Sequence, residues 1–424
     1  DNHPPRIYHP ADQFRCSVEM PKRDQRRTRQ QAARREKVRK QKARAKTTAG
    51  KRSKPPVDVT PHNLPEAMTA AVALHREERL REAAVIYRRV LAIEPNHPDA
   101  LSSLAMIEHQ AARYPDAIEM LTRAIAIDGA NPGYHMNLAA VQDAARNQRE
   151  AEACYQRAIE IEPNYPDPYY NLGDLYLRQG KPDQAIDVFD ACMAAIGREF
   201  HALAYKAHAL DDAGRHEEAR YLLNFDDYVK TYAFEPSDGF ESIADFNAAL
   251  AAHIKTHPTL QGNVMSTEHG EHTGELLREP VGPMGAMEIR IHEAVRWYIG
   301  QLPDDPQHPA VRWVPKAWKL TTWGVVMFDR GHERAHIHPN GWLSGVFYLE
   351  LPDLIADPAR KPEGWLEFGR PTTDLHVQSE LTLRHYQPAY GQMFLFPSYF
   401  YHGTVPFRSD QERVCVAFDV EPLY

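Results

Sequence analysis

Between residues 64 and 227 small and large apolar positions recur with a spacing of 34. Ala83, Ala117, Ala151, Ala185 and Ala219 form one series, and Ala71, Ala105, Ala139, Gly173 and Ala207 a second. A large residue follows each alanine of the first series by four positions: Tyr87, Leu121, Tyr155, Phe189 and Leu223. Pro95, Gly129 and Pro163, then Pro98, Pro132 and Pro166, recur in the same phase, each ending one helix or opening the next. Small residues let two helices approach closely and the large ones plug the gaps between neighbours, so the pattern predicts five antiparallel helix pairs. The period fails after residue 227. FNAALAAHI and MEIRIHEAVRWYI read as helices flanking a loop that carries HGEHTGELL. From about residue 312 short alternating or apolar runs, KLTTWGVVMF, SGVFYLEL, QMFLFPS and RVCVAFDV, are set apart by Gly, Pro and Asp, as in a β-sandwich or jelly roll.

The 34-residue register resembles that of tetratricopeptide repeats, solenoids that hold a peptide or protein on a concave face lined by the first helix of each pair. The series residues are packing positions. Asn137 and Asn171, one repeat apart, fall on the expected groove with Tyr134, Tyr169 and Tyr170 nearby. They read either as contacts to a ligand backbone or as ordinary helix-surface groups.

Composition adds boundaries. The chain of 424 residues is 43% hydrophobic, long enough for two or three domains, and holds no apolar run near the roughly 20 residues of a membrane span. The expected division is a basic, mostly disordered tail over 1–56, five repeats over 57–227, and a third region over 228–424. Residues 1–54 carry eighteen Lys or Arg against five Asp or Glu, a balance of +13, so with a total of −8 the rest carries −21. Such a tail reads as a solvated extension or as an arm for a polyanion such as RNA or the ribosome. The chain begins at Asp1, and Met20 is a candidate start. Cys16, Cys154, Cys192 and Cys415 are scattered without a CxxC, which suits a reducing cytoplasm, and no membrane partner is expected. All six tryptophans lie in the second half, and Trp342 and Trp365 are expected in its core.

One stretch in that half carries chemistry the repeats cannot explain. In Ala335-His336-Ile337-His338-Pro339-Asn340, a His-x-His stands directly before an apolar run. Alternate residues of a strand share a face, so both imidazoles can reach one ion if a strand begins there. Among 22 histidines one such pair carries little alone. Downstream, however, GQMFLFP leads to His402, and Arg413 opens the next run eleven residues later. That supplies a third imidazole and a guanidinium able to fork onto a carboxylate. His332, His376 and His385 read as surface or loop residues. His269 and His272 read as capping or packing residues, with substrate contact as the alternative.

On these residues, HIHPN with LSGVFYL and LFPSYFYH followed by ER, the region 228–424 resembles the Fe(II)/2-oxoglutarate-dependent dioxygenases of the prolyl- and aspartyl-hydroxylase-like branch. The resemblance implies a multidomain α + β chain: an N-terminal α-solenoid followed by a double-stranded β-helix, or jelly-roll, domain with flanking helices. It implies Fe(II) held by His336 and His402 and 2-oxoglutarate gripped by Arg413 and Tyr348. His338 stands where the family places an acid, so Glu350 and Glu367 are candidates to restore the negative charge. Cys415 and Ala417 stand where relatives offer a hydroxyl. The activity implied is hydroxylation of a peptide or protein presented by the repeats. A small-molecule oxygenase and a non-catalytic scaffold with a degenerate barrel are the alternatives.

Overall fold

The computed structural model describes residues 58–235, 239–262, 266–278 and 282–423. The basic tail expected over 1–56 lies outside them. The chain divides between Ile86 and Tyr87 into two compact units. In the first, helix Leu64–Arg76 buries Ala67, Ala71 and Leu74 on one stripe, the spacing that a helical period requires. Asn63 precedes it and accepts from the Thr60 backbone at 2.7 Å.

The second unit contains the remaining helix pairs and the sheets. Its pairs are Pro98–Gln110 with Tyr114–Ile127, Pro132–Ala144 with Gln148–Ile161, Asp167–Arg178 with Pro182–Ile196, and Phe200–Asp212 with His216–Leu222. Prolines stand in the first or second position of five of these helices, where the missing N–H costs no intrahelical bond. Ala105, Ala139, Ala207, Ala117, Ala151, Ala185 and Ala219 are all buried, as the period predicts. Gly173 takes the same place because a side chain there would collide with the ring of Phe189. Fully buried Phe189 and Tyr155 each contribute about 1.5–3 kcal/mol of transfer free energy. Tyr134 and Tyr169 are buried too. Their hydroxyls donate to Asp99 Oδ1 and to the Pro163 carbonyl, so they pack the repeats and do not line a groove. Asn137 donates to Ser102 Oγ at 3.1 Å, and exposed Asn171 bonds to its own helix.

Among the described residues ten strands follow: β1 Lys230–Tyr232, β2 Gln261–Gly262, β3 Thr267–His272, β4 Trp318–Glu333, β5 Leu343–Glu350, β6 Leu366–Phe368, β7 Arg384–Tyr386, β8 Met393–Pro397, β9 His402–Thr404 and β10 Arg413–Pro422. Seven form one sheet in the order β1-β8-β5-β10-β4-β3-β2, three form another in the order β7-β6-β9, and all neighbours are antiparallel. The HGEHTGELL stretch, expected as a loop, contributes strand β3. Its pairing with β4 shifts register between Glu268 and Gly270, and His269 has φ +53°. That irregularity is what let a strand with little alternation pass for a loop. Helices Ile243–Thr256 and Pro283–Gly300 form as expected. The first lies close on the sheet at Gly324, where a Cβ would strike Ile254.

The last two helix pairs share one continuous core with the sheets. Phe200 packs on Trp313 and Tyr399, and the Tyr399 hydroxyl donates to the Leu222 carbonyl at 2.7 Å. Asp174 accepts from the backbone N–H of His376, and Asp212 from those of Gln378 and Ser379. The first helices of the fourth and fifth pairs therefore already hold a segment of the sheet domain. Trp342 is core, its indole donating to the Ala310 carbonyl, and half-buried Trp365 donates to that of Ile355. Among the described residues no helix is long and apolar enough to cross a membrane.

Candidate metal centre and cofactor pocket

Three strands with one phase build the pocket wall. On β10 the alternate residues Arg413, Cys415 and Ala417 face a cavity of about 270 Å³. Their partners Met327, Val325 and Trp323 on β4 and Tyr348 and Val346 on β5 face it as well, as does Ser344, which pairs with Asp419. The period-2 alternation of side chains sets this, and Val414, Val416 and Val420 on β10 turn to the core behind.

His336, His338 and His402 line the same cavity, and their candidate ligand atoms lie within 4.8 Å of one another. The His-x-His does not begin a strand: β5 starts at Leu343, and a turn through Pro339, Asn340 and Gly341 intervenes. His336 is instead paired by an isolated bridge to His402, the first residue of β9, which joins the His-x-His to the smaller sheet. Each ring is oriented from behind. His336 Nδ1 donates to the Arg334 carbonyl at 2.7 Å, His402 Nδ1 to the Phe400 carbonyl at 2.9 Å, and His338 Nδ1 to Asp419 Oδ2 at 2.8 Å. All three partners only accept, so every Nδ1 carries the proton and every Nε2 keeps its lone pair for the shared centre. Burial, then the neighbouring His338, pushes His336 down to about 4, and burial also holds His402 well below the ordinary imidazole range. His338 differs: burial pushes it down, but the Asp419 carboxylate outweighs this and holds it above its ordinary value.

The acid missing from the ligand set is therefore present one step behind it. Asp419 is further fixed by Ser344 Oγ at 2.7 Å. Neither acid singled out from the sequence serves. Glu350 pairs with Lys255 at the surface, because the register shift of β10 against β5 turns it out of phase with Tyr348. Glu367 alternates with inward-facing Leu366 and Phe368, and bonds Arg370 and His385. Asp419 had a signal in the sequence, six residues beyond Arg413 and so on the same strand face.

Arg413 is 2% exposed. Its Nη2 donates to the Tyr348 hydroxyl at 3.2 Å, its Nη1 reaches Met327 Sδ, and its Nε has no partner. Among the described residues no carboxylate stands within ion-pair distance of it. A buried guanidinium without a counter-ion is costly, and it fits a pocket completed by an anion. Burial pushes the Cys415 thiol up to about 11, so it stays protonated.

The cavity has a second polar wall. Glu333 Oε1 accepts from Thr267 Oγ1 at 2.5 Å and His272 Nε2 at 2.9 Å. Burial pushes the Glu333 carboxyl up, but the bond from His272 and the charges nearby outweigh it and hold it at about 2. His272 thus packs as expected and also lines the cavity, while His269 does not. His332, His376 and His385 lie outside the cavity, each beside an acid.

Residues 321–419 match the family described as "Putative 2OG-Fe(II) oxygenase". Residues 74–141, 147–180 and 166–195 match tetratricopeptide repeat families. The chain therefore carries tetratricopeptide repeats and a 2OG-Fe(II) oxygenase domain, and that family implies Fe(II) and 2-oxoglutarate. Among curated proteins none matches. Among solved structures, the MamA protein is 23% identical over 38% of this chain and 87% of its own, with a TM-score of 0.34. TTC0263, a thermophilic TPR protein in Thermus thermophilus, is 20% identical over 38% and 90%, with a TM-score of 0.33. YrrB, a TPR protein with an unusual peptide-binding site, is 19% identical over 38% and 84%, with a TM-score of 0.32.

Proposed function

We propose that the chain is an Fe(II)- and 2-oxoglutarate-dependent hydroxylase with His336, His338 and His402 as its protein iron ligands. One observation carries this reading: three imidazoles lock their Nδ1 protons outward and leave three Nε2 atoms converging in a single buried cavity. Imidazole suits iron, and the donors fit the ion the family implies. Arg413, with the Tyr348 hydroxyl beside it, grips the far carboxylate of 2-oxoglutarate as a charge-assisted pair. When bound, iron with its co-substrate supplies the oxidation of a C–H bond that no side chain can perform alone.

The protein's own contributions are position and shelter. Trp323 stacks on His338 with ring centroids 5.5 Å apart, and Phe396 packs on His402 at 4.6 Å, so the ligand rings are walled by aromatics. Ser344 and Asp419 hold His338, and the Asp419 charge partly replaces the anionic ligand of the usual set. The substrate we favour is a peptide or protein brought by the repeats. Because the fourth and fifth pairs hold the chain's own residues 376–379, its place is on the first helices of the second and third pairs. The same occupancy favours a second reading, a small-molecule oxygenase whose repeats brace the barrel.

The test is succinate release from 2-oxoglutarate by the purified full chain with Fe(II), beside anaerobic Fe(II) titration of His402→Ala and His338→Ala. Turnover in the wild type, and loss of stoichiometric Fe(II) binding in both variants, are expected. Full Fe(II) affinity in His338→Ala removes that residue from the ligand set. Wild-type protein that binds iron but neither binds nor consumes 2-oxoglutarate overturns the oxygenase reading.

A further inference from the structure

We propose that Glu333 selects the substrate of this cavity by accepting a hydrogen bond from a cationic nitrogen, an alkylammonium or guanidinium group, an inference that rests on the cavity's being the iron and 2-oxoglutarate site. Strand β4 ends at Glu333, and two groups on β3 hold its carboxylate. Thr267 and His272 are five residues apart, an odd spacing that would place them on opposite faces of a regular strand. The register shift between Glu268 and Gly270, with His269 at φ +53°, breaks the alternation and returns both to the Glu333 side. Both donate to the same oxygen, Oε1. The other, Oε2, is buried and has no partner. An unmade bond on a buried acceptor is costly, so an oxygen fixed so firmly and left bare is one that a ligand completes.

Its place in the cavity says which ligand. Glu333 lines the cavity with the three histidines but is not one of the groups whose ligand atoms cluster within 4.8 Å. It is therefore beside the iron site and not in it. Met327 pairs with both Arg413 and Gly270, whereas Glu333 pairs with Thr267. The rows of Arg413 and Glu333 are thus separated by the register shift of β3 against β4 and occupy different places along the cavity wall. One wall of the cavity is cationic and the other anionic. A dianionic co-substrate is drawn to Arg413 and repelled by Glu333, which leaves the Glu333 end for a group of positive charge. A carboxylate oxygen offers lone pairs only, so a donor is required, and a charged donor bonds about twice as strongly as a neutral one.

Basic side chains of a peptide and free amines present the same chemistry, and calorimetry separates them. The full chain, loaded with Mn(II) and 2-oxoglutarate, is titrated with acetyl-Gly-Lys-Gly-amide, its arginine and norleucine counterparts, and butylammonium. A cationic peptide is expected to bind roughly tenfold or more tighter than the norleucine peptide, and Glu333→Gln to reduce that ratio below about twofold. Thr267→Val, which frees one side of the carboxylate, falls between. Binding of butylammonium as tight as that of the peptides identifies a small amine, and weaker binding a peptide. Equal affinity for cationic and norleucine peptides in the wild type, binding of neither, or a preference that survives Glu333→Gln overturns the assignment. Failure of the wild type to bind Mn(II) and 2-oxoglutarate overturns the iron reading instead, and the same titrations on metal-free protein still decide Glu333.

Discussion

Arg178, on the first helix of the fourth pair, meets Asp174 on its own helix and Asp143 on the first helix of the third; Arg413, on β10, meets a tyrosine hydroxyl and a methionine sulfur. Both are largely withdrawn from water. In the repeats the guanidinium is a joint, paired by two carboxylates, and it stitches neighbouring pairs together. In the sheet domain the same group is left with an unpartnered Nε and no acid. A histidine pair differs in another way. His208, on the first helix of the fifth pair, is buried against the Tyr401 ring with its Nε2 unpartnered, and it stands apart from the histidine cluster. His402 is equally buried but converges with two more. A polar group closed by its neighbours is architecture. One kept open in a cavity is held for a ligand.

The sharpest way to break this contrast is to remove both charges with one substitution at each site. Arg178→Met strands Asp143 and Asp174 without their cation, and unfolding stability should fall by about 2–3 kcal/mol, somewhat below a fully buried pair because both ends are partly exposed. Arg413→Met removes a charge that the protein alone does not pair, so stability should stay within about 1 kcal/mol or rise. Its cost should appear in binding: 2-oxoglutarate affinity of the Mn(II)-loaded protein falls roughly 100-fold, as for loss of a desolvated charge pair. Denaturant melts and calorimetry read both. If Arg413→Met destabilises as much as Arg178→Met, it is a structural residue and the contrast collapses.

Acid tests the two histidines. Burial pushes His208 down to about 4, against about 6.5 for an unfolded chain. Between those values the unfolded state binds the proton and the folded state does not. Stability is therefore full above about pH 6.5 and falls as the pH drops toward 4, by roughly 3 kcal/mol for a shift of this size. Melting curves across that window should show the slope, and His208→Gln should lessen it, the remainder coming from His201 and the cluster imidazoles that burial also holds low. An unaltered slope in the variant assigns the effect elsewhere. In the metal-loaded protein the ligand cluster should add a second response, release of the metal on acidification.

Much of this is legible in the sequence, for a reason that differs between the halves. Packing positions of the repeats recur because each pair solves the same local problem, so Ala151, Tyr155 and Gly173 announce themselves by phase. His336, His402 and Arg413 were readable because their spacing resembles a known ligand arrangement. What escaped depends on strand register, which a sequence does not carry. Glu350 was offered as the compensating acid, yet one bulge turns it outward. Glu333 and His272 stand 61 residues apart and meet only through an irregular pairing. The segment 376–379 gives no sign of its grip by Asp174 and Asp212, since backbone N–H groups have no sequence signature.

The smallest expected effect concerns the acid behind the ligand. Asp419 accepts from His338 Nδ1 and from Ser344 Oγ, so it fixes the tautomer and makes the imidazole a stronger donor. Asp419→Asn keeps the shape and removes the charge. The amide can still accept from Nδ1 through its oxygen, so the ring stays in place but loses its anionic support. Metal affinity should fall roughly 10- to 100-fold, the range for partners of ligating imidazoles, with little loss of fold. A ligand removed outright, as in His402→Ala, should cost far more, and this graded order is what separates a supporting charge from a ligand. Because burial alone would hold His338 low and Asp419 holds it high, the variant should also free that ring of its proton at lower pH. Mn(II) titrations of wild type and Asp419→Asn at two pH values read both effects. If the affinities coincide, the carboxylate only anchors a side chain, and the neutral ligand set must hold its metal without help from the charge behind it.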